Sequence, residues 1–184
     1  MYKSFFRRLA DKEDGKFYYG EGNIAYHDGS RSPNVTFKVK FDYKDNHFII
    51  INRTGTAYVA EITCILSKTI QPIEFEINNI SHLKNLFLRK RNRLYIKSKN
   101  LNIKHFIEKN ENYELLNRIA DKDKFSPLVK CELEKKWDIT AIYHLEFDNW
   151  TEPIEPMIAL FKDIIDEFEK RIAHLGPKSY GEMN

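Results

Sequence analysis

The chain has 184 residues, a formal net charge of +3, 42% hydrophobic and 14% aromatic residues. That length hides roughly 70% of the unfolded surface in one good core or two small ones, and the composition excludes a disordered chain. No run approaches the ~20 apolar residues of a membrane span, and the charged start MYKSFFRRLADKEDG carries no apolar segment of a secretory signal.

In chain order, YKSFFRRLADK predicts a short amphipathic helix. KFYYGEGNIAYHDGSRSPN predicts a strand pair, with Gly20 and Gly22 at a bend or bulge. In NVTFKVKFDY, Val35, Phe37, Val39, Phe41 and Tyr43 alternate strictly, the period of a half-buried strand. KDN then turns the chain into NHFIIINRTG, which predicts a hairpin. TAYVAEITCILS gives the next strand and PIEFEI a short fourth, with Ile73, Phe75 and Ile77 on one face.

After Asn79 the pattern changes. SHLKNLFL opens on an N-cap at Ser81 and predicts one to two helical turns. RLYIKS reads as a strand, and IKHFIEKNENYELLNRIAD as one or two short helices. Two strands follow, with Val129, Cys131 and Leu133 alternating in one, and Ile139, Ala141, Tyr143, Leu145 and Phe147 in the other. From Ile154 onward apolar residues recur at three- and four-residue steps through Phe168 and Ile172, and Gly176–Pro177 ends the pattern. The expected fold is therefore α+β, a largely antiparallel β-sheet with a β-rich N-terminal half and a long C-terminal amphipathic helix packed on it. Two organisations remain open: a β-rich subdomain over 1–78 with an α+β subdomain over 79–176, or one compact domain; 177–184 reads as a flexible polar tail.

Charge is distributed unevenly. Residues 77–107 hold eight bases and no acid, whereas residues 108–184 hold eleven bases and seventeen acids. Three readings fit the basic block. Its residues can solubilise a turn and guard an edge strand, or pair with the acidic helix at 152–169. Alternatively Arg89, Lys90, Arg91, Arg93, Lys97 and Lys99 contact a nucleic acid or other polyanion, with Tyr95 as a stacking platform.

Motifs that carry chemistry are missing. The six histidines form no metal spacing, and neither a phosphate loop nor a nucleophile elbow is present. Cys64 and Cys131 read as small core residues, and the N-x-T triplets at Asn34, Asn52 and Asn149 as chance. One polar constellation stands out: Thr140, His144, Glu146 and Asp148 share a strand face, where His144 beside Glu146 has the makings of an oriented general base, though an ordinary solvent-facing strand explains them too. No catalytic residue, metal, cofactor or small-molecule ligand is expected. Met157 and Leu160 widen the apolar sector of the last helix and are candidate partner contacts. Trp150, in the Pro-rich approach FDNWTEPIEP, is a candidate contact too, the other reading being a staple over the helix start. The abundance of Ile, Asn and Lys suits an AT-rich bacterial genome. The expected protein is a non-enzymatic, cytoplasmic bacterial domain that binds another protein or itself, the alternative being a polyanion-binding module using 84–104.

Overall fold

A computed structural model describes residues 2–25, 27, 29–55, 58–79, 93–133 and 135–174. The order of elements is α1 (Tyr2–Lys12), β1 (Lys16–Ala25), β2 (Arg31–Tyr43), β3 (Asn46–Thr54), β4 (Val59–Ile65), β5 (Phe75–Asn79), β6 (Leu94–Lys97), α2 (Leu101–Glu108), α3 (Glu111–Lys122), β7 (Leu128–Leu133), β8 (Trp137–His144) and α4 (Ile154–His174). The expected helix at Ser81 and the polar tail lie outside the described residues.

All eight strands belong to one sheet in the order β1-β2-β3-β4-β8-β7-β5-β6, and every pairing is antiparallel. The fold is α+β, as the strand and helix periods predict, but the sheet is not confined to the N-terminal half. β7 and β8 sit between β4 and β5, so the position between residues 78 and 79 falls inside β5, which pairs with β6 and β7.

Register follows from alternation. One inward row runs across the whole sheet through Phe17, partly buried, and the buried Val39, Ile50, Ile62, Ala141, Val129, Ile77 and Ile96. A second runs through Phe41, Phe48, Cys64, Ile139, Cys131 and Phe75. A one-residue slip in any strand would turn its apolar set outward, which fixes the pairing. Cys64 and Cys131 flank Ile139, two strand spacings or about 10 Å apart, beyond disulfide reach. Both thiols are buried, and burial pushes both pKa values up.

Helices cover this inner face. Phe6 of α1 stacks on Phe37 at 5.0 Å, and Phe161 of α4 meets Phe48 at 6.5 Å. In α4, Ile154, Ile158, Phe161, Ile164, Ile165 and Phe168 are all buried, as the three- and four-residue steps require. Asn100 and Asn110 cap α2 and α3, each side chain accepting from two backbone N–H groups. Asn117 of α3 accepts from the Leu94 N–H at 2.9 Å, and the Tyr113 hydroxyl donates to the Leu94 carbonyl at 2.9 Å. These bonds latch α3 onto β6.

Three local expectations change. Gly20 and Gly22 make no bulge: they pair in unbroken register with Thr36 and Asn34. Leu133 continues the alternation of β7 yet is 57% exposed, because it closes the hairpin opposite Trp137, beyond the reach of the helices. β8 stops at His144, so Leu145 and Phe147 pack from the following loop. Gly15 allows the close turn from α1 into β1, since a Cβ there would lie 2.6 Å from the Lys40 carbonyl oxygen.

Candidate functional site

The sequence-derived candidates separate into three places. Arg89, Lys90 and Arg91 lie outside the described residues. Arg93 donates from Nε to Asp121 at 3.0 Å, and Lys97 donates to Glu76 at 2.8 Å. Tyr95 stands opposite Asn78 on β6, with the Lys97 ammonium 5.6 Å from its ring, and Lys99 is exposed just beyond the strand. With Lys104 beside Glu108 at 3.9 Å, three of the block's cations therefore hold carboxylates of this chain among the described residues. The acids of the last helix find their partners elsewhere: Glu155 pairs with Lys12, and Asp166 and Glu169 with Lys44; its Lys162 in turn pairs with Glu13 after α1.

Trp150, Met157 and Leu160 are buried. Trp150 packs against the Tyr2 ring at 4.4 Å and the Phe6 ring at 6.1 Å, closing the core over the start of α4. Trp150 thus takes the position of a staple over the helix start, the other reading of that residue, and the burial of Met157 and Leu160 places them in core packing rather than at a contact surface. The apolar sector is wide because α4 is enclosed between the sheet and α3.

His144 and Glu146 are not brought together in a cleft. His144 is exposed at the end of β8 opposite Val59, whereas Glu146 lies in the loop beyond and lines a different depression. That depression, about 820 Å³, also holds Asp121, Asp123 and Asp148 beside Arg93 and Lys122. Another of about 810 Å³ opens between β5, β6 and β7. Its charged lining alternates in sign, with Glu74, Glu76 and Glu132 against Lys97, Lys99 and Lys130. Such a mixture favours neither an anion nor a cation. Among the described residues no group of three or more His, Cys, Asp or Glu side chains is arranged to hold a metal.

What the sequence reading missed is the outer face of the sheet. The ring and hydrogen-bond contacts of α1, α3 and α4 fall on inner-face residues such as Phe37, Tyr43, Phe48 and Leu94, and among the described residues Tyr18, Leu128 and Ile142 of the opposite face are exposed. Register builds one outer row from Tyr18, Lys38, Ile51, Glu61, Ile142 and Leu128. Tyr18, Ile142 and Leu128 are 48%, 45% and 38% exposed, and Ile142 and Leu128 are direct cross-strand neighbours. Ile49, Ile65 and Val59 lie half-buried on the same face. Lys38 and Glu61 interrupt the row, so its apolar members are one adjacent pair, Ile142 and Leu128, with Ile51 and Tyr18 set apart. Several exposed apolar residues on one sheet face are what an interaction surface offers. The alternation inside each strand was legible; which side the helices cover was not.

Comparison with known proteins finds no matching family model, no similar curated protein and no similar solved structure. No helix among the described residues is long and apolar enough to cross a membrane.

Proposed function

We propose that this chain is a non-enzymatic, cytoplasmic bacterial protein that works by binding another protein or itself, through the open face of its sheet. The observation that carries this reading is the outer row containing Tyr18, Ile51, Ile142 and Leu128. A sheet face with Ile51, Ile142 and Leu128 near its centre and charges among and around them has the mixed apolar and polar make-up of a protein interface.

The test places a photo-crosslinking benzoyl-phenylalanine at position 142 and, as a control, at the exposed Glu114 of α3. Irradiation in a bacterial cytoplasm is expected to give a discrete higher-mass adduct from position 142 and none from 114. Adding Leu128→Asp should suppress it. The absence of any adduct at 142, or equal adducts at both positions, would overturn the reading.

The polyanion alternative has less support within the described residues, since a phosphate would have to displace Asp121 from Arg93 and Glu76 from Lys97. Fluorescence anisotropy with labelled single- and double-stranded oligonucleotides decides it. Salt-sensitive binding that vanishes on Arg89→Glu with Arg91→Glu would establish the alternative, and no binding even at low salt is the expected result.

A further inference from the structure

The charges on the outer face are sorted by strand. On β1, β2 and β3 the outward side chains include Lys16, Lys38, Lys40 and Arg53 against the single acid Asp42, a net of +3. On β4, β8, β7, β5 and β6 they include Glu61, Glu76, Glu132 and Asp138 against Lys97 and Lys130, a net of −2. Lys16, Lys38 and Lys40 pair with no carboxylate among the described residues, whereas Glu61 bridges Arg53, Glu76 bridges Lys97 and Glu132 bridges Lys130, so the acidic half offers its net charge rather than unpaired carboxylates. Between the two halves lie Ile49, Ile51, Val59, Ile65 and Ile142.

We infer that the occupant of this face is a second copy of the same chain, packed face to face. This rests on the docking reading above and names its partner. A two-fold axis lying between the sheets, parallel to the strands and passing between β4 and β8, sets β3 over β7 and β2 over β5 of the other copy. The basic half of each protomer then covers the acidic half of its mate, twice over, while the apolar centres meet. A closed isologous contact requires such a self-complementary patch. An unrelated protein has no reason to match a face whose two halves already match each other.

The size is also appropriate. Eight strands at about 4.8 Å spacing and five to six residues deep give a footprint of about 700 Å², near the ~800 Å² each partner hides in a standard interface. A twisted antiparallel sheet stacks on another at about 30°, as in a sandwich, so the pairing needs no rearrangement of either copy.

Sedimentation equilibrium of the full chain, from about 1 to 100 μM, tests the inference with two charge-reversed variants. Wild type is expected to dimerise. Lys38→Glu with Lys40→Glu turns the basic half net acidic, so that both halves are acidic, and Glu76→Lys with Glu132→Lys turns the acidic half net basic, so that both halves are basic. Each variant alone is expected to dimerise at least ~100-fold more weakly, with unchanged circular dichroism showing that the fold survives. Mixed in equal amounts, the two should form a heterodimer, which no general loss of stability can mimic. A wild type monomeric throughout the range overturns the inference, as does a dimer indifferent to either reversal or a mixture that stays monomeric. A monomeric wild type that still gives the position-142 adduct with a different protein leaves the docking reading standing and removes only the second copy as its occupant.

Discussion

Asn52 places a carboxamide in the core between Phe37 and Ala60, fully buried, and neither its oxygen nor its nitrogen has a hydrogen-bond partner among the described residues. Tyr143, on the far side of Ala60, buries its hydroxyl in the same condition, and burial drives that pKa up. An unpaired buried polar group costs about 1–3 kcal/mol, whereas a shape-matched apolar replacement is neutral or stabilising. Asn52→Leu is therefore expected to raise the unfolding free energy by about 1 kcal/mol or more. Urea denaturation measures this, and a lower midpoint would show that the amide has found a partner. The same burial puts the Asn52 triplet out of reach of glycosylation in the folded chain, in keeping with reading such triplets as chance.

The polar bonds between elements sort themselves by position. At the turn from β2 to β3, Asn46 accepts from the Ser67 N–H at 2.9 Å and donates to the Tyr43 carbonyl at 3.2 Å. The Tyr43 hydroxyl donates to Asp166, tying that hairpin to α4, and burial raises its pKa. At the opposite edge, β6 has only four residues and is held to β5 by the Glu76–Lys97 bridge. The hydrogen bond from Lys97 lowers the Glu76 pKa below that of an ordinary glutamate. A lowered folded pKa adds stability that is present above the ordinary value and lost as the pH falls through the folded one. Glu76→Gln should therefore cost a little stability at neutral pH, and the gap to wild type should close on acidification through the carboxylate range. Parallel thermal melts check the sign; a gap that widens in acid would refute the assignment.

At the scale of the whole molecule, the sheet order ties the two halves of the chain together. β4 finds its second neighbour in β8, and β5 finds both of its neighbours beyond residue 79. The 1–78 segment alone would expose one side of β4 and leave β5 unpaired, with no α4 over Phe48 and Ile50. It is expected to lack a cooperative thermal transition, as is 79–184, and mixing the two is the condition under which the structure returns. Circular dichroism of the separate and mixed fragments tests this, and a sharp melt from 1–78 alone would establish an independent subdomain. The open outer face belongs to this scale too, because it exists only once eight strands are side by side.

The sequence by itself determined most of the elements: the period-2 runs became β2, β3, β4, β7 and β8, and the three- and four-residue steps of Ile154–Phe168 became the buried stripe of α4. Those features are local, set by which side chains of one segment share a face, and periodicity records them directly. The basic run LFLRKRNRLYIKSKN drew the eye for the same reason, as a feature of adjacent residues. Only the tertiary structure decided that β8 and β7 enter between β4 and β5, that Trp150, Met157 and Leu160 face inward, and that Tyr18, Ile51, Ile142 and Leu128 form one outer row. Each of these depends on partners dozens of residues away, and a strand's own pattern specifies what it needs beside it without specifying which segment supplies it.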